Sequence, residues 1–181
     1  NLEITRSLRD GGKKNTLFDV LDFTRTPMGT RLLKSWLEHP LLVPHRIDAR
    51  LDAVAELVEQ SSLRTSLREQ LRSIYDFERL LTRIETQTAN ARDLVALRVS
   101  LAALPAVRDN LGTAKSNLLM RVHAGIQTFD DLRDILERAI VDEPGLSVRD
   151  GGIIRTGYDT ALDELHAFSR DSKSLLQEME E

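Results

Sequence analysis

Thr26-Pro27-Met28-Gly29-Thr30-Arg31-Leu32-Leu33-Lys34-Ser35-Trp36-Leu37-Glu38-His39-Pro40 reads as one helix with both of its ends written in. Thr26 is an N-cap residue, whose side-chain oxygen can accept from a first-turn N–H, and Pro27 suits the first turn because its missing N–H is not needed there. Met28, Leu32, Leu33, Trp36 and Leu37 share one face at helical spacing. His39 is pushed out of the helical region by the proline after it, which ends the element. Trp36 lies on the apolar face and is expected in the core, where truncating such a side chain costs about 3–5 kcal/mol.

Outward toward the N-terminus, Leu2 to Thr5 alternates apolar and polar, which predicts a short strand. Asp10-Gly11-Gly12 breaks the chain, Lys13-Lys14-Asn15 is an exposed loop, and Leu17, Phe18, Val20 and Leu21 form a short helical cluster. Toward the C-terminus, Pro44 opens a helix whose Ile47, Leu51, Val54, Ala55 and Val58 read as a core-facing stripe. Ser62 is expected to cap the next, with Leu63, Leu67 and Leu71 inward and Arg64, Arg68 and Arg72 one residue round. Asp76 caps a third, through Phe77, Leu80, Leu81 and Ile84. Asn90 starts a fourth with Asp93 at N3, carrying Leu94, Leu97, Leu101 and Leu104 until Pro105 bends or ends it. Two shorter helices follow, near 118–123 and 129–140, the second capped by Thr128.

The texture then changes. Leu146 to Arg149 alternates like a strand, Asp150-Gly151-Gly152 is turn chemistry, and Ile153-Ile154 completes a small hairpin over 146–155. The remainder, 157–181, reads as one long helix. Tyr158, Ala161, Leu165, Phe168, Ser172, Leu175 and Met179 follow spacings of three and four, a coiled-coil seam. Its inner half is expected to pack on the body of the domain and its outer half to lack a partner within the chain.

Composition agrees with an all-α fold. The chain has 181 residues with 30 Leu, nine Gly and five Pro, so helix formers dominate and breakers are few. It has no Cys, which removes disulfides, thiolate nucleophiles and Cys-based zinc sites and suits a reducing cytoplasm. No stretch approaches the roughly 18 apolar residues of a membrane span, and the first residues lack the basic-then-apolar pattern of a signal peptide. Its net charge of −4 gives no global attraction for nucleic acid. Asn1 at the start and an amphipathic helix at the end lead us to expect a piece of a larger protein.

The chemistry of active sites is not visible in the pattern. The four His residues include no His-Glu-x-x-His, and Gly12-Lys13-Lys14-Asn15-Thr16 lacks the upstream Gly and leading strand of a phosphate loop. No Gly-x-Ser-x-Gly elbow is present. The carboxylate pairs Asp48/Asp52 and Asp130/Asp134 read as solvated faces. Arg64, Arg68 and Arg72 line one helical face and are the candidate phosphate contact, opposed by Glu69, Asp76 and Glu78 and without aromatics for base stacking.

Four stretches together resemble the core domain of the bacterial MutS family: Asn15 to Asp22 leading into Thr24 to Leu41; Ile47 to Val54; Asp76 to Ile84; and Arg149 to Asp159. The Thr-Pro-Met-Gly-x-Arg-Leu-Leu-x-x-Trp-Leu run is the specific part. The resemblance implies that 1–181 is an all-α helical core (lever) domain: an irregular multi-helix bundle with 1–16 as a strand and loop leading in, the minor hairpin at 146–155, and 157–181 as a lever helix running toward a clamp domain. It implies a non-catalytic domain coupling a DNA-holding clamp to an ATPase end in a DNA mismatch-repair protein. The parent is expected to use ATP and Mg, to meet mismatched DNA, to work as a homodimer, to contact this domain through its other domains, and to reside in the bacterial cytoplasm at the nucleoid. No phosphate loop and no Phe-x-Glu wedge is present, so no cofactor or catalytic residue carries over to this chain. The residues expected to matter are structural: Pro27, Gly29, Arg31, Trp36, Tyr158, Leu165, Phe168 and Leu175. Two alternatives stay open, a helical protein-interaction scaffold and a MutS-like paralogue outside mismatch recognition.

Overall fold

A computed structural model describes residues 3–145 and 151–169. In chain order the helices are α1 (Leu17–Leu21), α2 (Pro27–Glu38), α3 (Pro44–Glu59), α4 (Ser61–Gln70), a 3-10 turn at Leu71–Ser73, α5 (Phe77–Glu85), α6 (Ala91–Leu111), α7 (Asn117–Gly125) and α8 (Asp130–Ala139). Residues 160–169 are also helical; we call them the outgoing helix. The only β pairing among the described residues is an isolated antiparallel bridge, Ile140 to Ile154.

α6 is the axle. It packs against α4, α5, α7, α8 and the 3-10 turn, and each half feeds its own core. Leu97 and Leu101 join Leu80, Leu136, Ala139 and Ile140, while Val107 and Leu111 join Leu63, Leu67 and Ile74. The middle of α6 is apolar nearly all round, the pattern of a helix packed by others on most sides, and only the strip of Val99, Ala102 and Ala106 is exposed there. Pro105 lies within it, so the helix neither ends there nor breaks. It runs about 31 Å at 1.5 Å per residue.

Several ends are set by local chemistry as expected. Thr26 Oγ1 accepts from the Gly29 N–H at 3.0 Å and Pro27 opens α2. Asp76 caps α5 through the Arg79 N–H. Asn90 and Asp93 form a reciprocal capping box on α6, both bonds at 2.9 Å.

Other expectations need correction. Residues 3–5 form no strand, residues 4–6 being bends; the Leu17 and Phe18 N–H groups donate to the Glu3 and Ile4 carbonyls, so this backbone closes onto the start of α1 instead of onto another strand. Ser62 does not cap α4, which begins at Ser61 directly after Gln60. Thr128 does not cap α8: the chain enters through Phe129 in the left-handed region (φ 50°), and the Thr128 hydroxyl donates to Asp130 instead. The outgoing helix starts at residue 160 because Asp159 accepts from the Leu162 N–H and Asp163 from the Gly157 N–H. Tyr158 therefore precedes it, and Gly157 occupies φ +87°, a conformation costly for other residues. Leu146 to Asp150 of the expected hairpin lie outside the described residues; Ile154, within them, pairs with Ile140 at the end of α8.

The largest departures concern burial. α2 buries no residue, and Trp36 is 39% exposed. On α3 the buried residue is Ala53, while Ile47, Leu51, Val54 and Val58 lie open. The inner seam of the outgoing helix is also open, with Leu165 66% and Phe168 71% exposed. It does not pack on the body. The stripes are real, but the described residues cover them at most in part: on α2, Met28 packs against the second core while Leu32 and Trp36 stay open.

Candidate coupling joint at the root of the outgoing helix

The apolar run of α6 contains one charge, Arg98, four residues after Leu94 and three before Leu101, hence on the core side. Arg98 is 6% exposed. A buried guanidinium is tolerated only when its N–H groups are matched, and here they are. Nη1 donates to the Ile140 carbonyl at 2.8 Å, Nη2 to Asp142 Oδ1 at 2.7 Å, and Nε faces Glu137 at 3.4 Å.

Arg155 reaches the same two acceptors from the other side. Its Nε donates to the Ile140 carbonyl at 2.9 Å and its Nη2 to Asp142 Oδ1 at 2.7 Å. The backbone closes around this fork: Val141 N–H donates to Ile153 at 3.0 Å and Arg155 N–H to Ala139 at 2.9 Å. The segment that leads to residue 160 is thus tied to the end of α8 and to the middle of α6. Asp142 is the shared acceptor, and no other carboxylate touches both arginines among the described residues.

Similar polar ties fasten the rest of the body. Ser100, fully buried, accepts from the Tyr75 N–H at 2.9 Å and donates to the Ala96 carbonyl at 2.7 Å, holding the chain before α5 against α6. Arg83 on α5 pairs with Asp93 of the α6 cap at 2.9 Å. Glu56 on α3 accepts from the Lys115 and Ser116 N–H groups at 2.6 and 2.7 Å, supplying a carboxylate to the N-terminus of α7. Ser116, foremost, and Lys115 draw the Glu56 carboxyl below its usual range.

The residues singled out in the sequence divide. Arg31 joins α2 to α5: its guanidinium donates to Asp76 at 2.7 and 2.8 Å and also to Glu78. Arg31 holds the Asp76 carboxyl below the ordinary range, and Asp76 with Glu78 raises the Arg31 guanidinium further. Gly29 sits where a Cβ would come within 3.1 Å of the capping Thr26 Oγ1, so a larger residue strains the cap that Pro27 follows. Trp36 carries the Arg50 guanidinium over its ring at 3.5 Å. Tyr158, Leu165 and Phe168 are exposed and brought to none of these, and Leu175 lies outside the described residues.

Arg64, Arg68 and Arg72 are each engaged. Arg64 donates to the Leu57 and Val58 carbonyls at 2.5 and 3.0 Å, Arg68 to the Phe23 carbonyl at 3.1 Å, and Arg72 to Glu69 at 2.7 Å. Two of the three therefore tie turns of the fold. Arg133 lies between Asp130 and Asp134, at 3.1 and 3.2 Å, so that carboxylate pair is an ion-paired face. Among the described residues no group of His and carboxylates gathers as metal ligands.

The sequence reading missed Arg98, Asp142, Arg155 and Glu56. Arg98 did leave a signal, because a lone charge within an apolar helical stripe asks for a buried partner. Nothing local indicates that the partners lie 42 and 44 positions away.

What the fold defines is an all-helical domain with a braced central helix, a polar joint at its exit and apolar faces left open. The MutS domain III family model matches residues 1–181, and the chain belongs to that family. It is 48% identical to the DNA mismatch repair protein MutS of Symbiobacterium thermophilum over 99% of its length, and 47% and 42% identical, also over 99%, to those of Desulforamulus reducens and Staphylococcus aureus. It spans about a fifth of the length of these relatives, 20–21% of each. No helix among the described residues is long and apolar enough to cross a membrane.

Proposed function

We propose that this domain is a non-catalytic coupling element of a MutS-type DNA mismatch-repair ATPase, linking a clamp that holds DNA to an ATPase end. The observation that carries the reading is the Arg98–Asp142–Arg155 fork, which fixes the root of the outgoing helix to the axle α6. Two distant sites influence each other only through an element whose position both bias. A helix anchored at its root on a braced body turns a displacement at one end into a displacement at the other. In this reading residues 160–169 begin the lever toward the clamp. ATP and Mg, mismatched DNA and the second copy of a homodimer are all engaged by other parts of the polypeptide, and this domain supplies no reacting group.

The test is Asp142→Ala in the full-length polypeptide. ATP turnover without DNA and duplex binding without nucleotide are expected to stay within about twofold. The change in ATP turnover on adding mismatched duplex is expected to fall by about tenfold, the size of an ordinary coupling energy. An undiminished response to mismatched duplex in a variant with a weakened joint would overturn the reading.

A further inference from the structure

α3 separates its charges by side. Arg46 and Arg50, four apart, stack on the face toward α2 and α7, while Asp48 and Asp52 fall on the opposite face. Between α2, α3 and α7 lies an open groove of about 1000 Å³. His45, Arg46, Arg50 and Arg121 line it, and no carboxylate does, in a chain where 29 acidic residues outnumber 25 basic ones. None of the three arginines has an ion-pair partner among the described residues. The floor is apolar: Leu32 is 52% and Met120 51% exposed, and Trp36, 39% exposed, carries the Arg50 guanidinium over its ring at the edge of the trough.

We propose that this groove docks an acidic amphipathic helix of a partner protein, with its apolar face on Leu32, Trp36 and Met120 and its carboxylates against Arg46 and Arg121. An apolar trough rimmed by unpaired cations is the complement of such a helix. A nucleic-acid backbone would bring charge to the rim but nothing to cover the floor. A second copy paired about a two-fold axis would set the arginine rim against itself. For the rest of the same polypeptide α3 offers a separate uncharged stripe, Ile47, Leu51, Val54 and Val58, all exposed. The proposal goes beyond the coupling role and does not depend on it.

Trp36 is the sole tryptophan and the chain has no cysteine, so both emission and thiol labelling can report on this groove alone. The chain is titrated with a designed helical peptide bearing a leucine face flanked by glutamates, and with its lysine counterpart. The expected result is a saturable blue shift of Trp36 emission with the glutamate peptide, at least tenfold weaker with the lysine one. Arg46 and Arg121 are exposed, so Arg46→Glu with Arg121→Glu should keep the fold and reverse the preference. Equal affinity for the two peptides, or no shift with either, overturns the proposal. So does a salt-sensitive shift with duplex DNA that competes with the peptide, which gives the groove to nucleic acid, or a concentration-dependent shift of the chain alone, which gives it to a second copy. Protection of Met120→Cys from maleimide in the longer polypeptide by itself would assign the groove to its own further domains, and would equally overturn it.

Discussion

α6 and α2 are both capped as their sequences foretell, yet α6 buries eight residues and α2 none. The sequence makes α2 the more orderly of the two, with one apolar stripe and one polar side, whereas α6 is apolar nearly all round. A stripe states that a partner exists somewhere; apolarity around the whole circumference requires partners within the same body. α3 and the outgoing helix fall with α2. Their stripes are as regular as any in the chain, and they are largely open because the described residues cover little of them.

That contrast can be broken by mutation. Leu101, 3% exposed in the core around α6, should cost about 2–5 kcal/mol when changed to Ala. Leu51, 59% exposed on α3, should cost no more than about 0.5 kcal/mol. Denaturant unfolding of both variants measures the difference, and equal losses would abolish the distinction between axle and edge. Trp36→Ala belongs between them. With the ring two-fifths exposed and stacked under Arg50, a loss near 1 kcal/mol is expected in the same experiment, and a loss of about 3–5 kcal/mol would return Trp36 to the core.

The smallest effect concerns the tie that holds α2 to the body. Asp76 has its carboxyl drawn below the ordinary 3.8, by Arg31 first. A carboxyl depressed on folding contributes stability that is present above its unfolded value and lost as pH falls through the folded one. Arg31→Met should therefore be destabilised at neutral pH, and the gap to the parent should narrow as the pH drops below about 4. Urea unfolding across this range reads the gap. A gap that widens in acid would mean that Arg31 acts through packing and not through Asp76.

The ends of helices were legible where one or two neighbouring side chains decide them. Thr26, Asp76 and the Asn90–Asp93 pair each act within three residues. Ser62 misled because α3 and α4 are separated by Gln60 alone, and the carbonyls ending α3 are met by Arg64 from the next helix. Thr128 misled because Phe129 takes a left-handed turn that a cap preference does not register. The joint was illegible for a different reason: Arg98, Asp142 and Arg155 meet through chain separations of 44 and 13 residues, which no periodicity records.

Whether that joint holds the outgoing helix to α6 can be measured directly. With no native cysteine, spin labels at Arg108→Cys on α6 and Ala167→Cys on the outgoing helix allow a distance distribution by pulsed electron resonance. In the chain with its joint intact, a single narrow distribution is expected, and Asp142→Ala should broaden or shift it while the melting of the α6 core stays cooperative. A distribution already broad with the joint intact, or one that Asp142→Ala leaves unchanged, would contradict the claim that the fork sets the position of this helix.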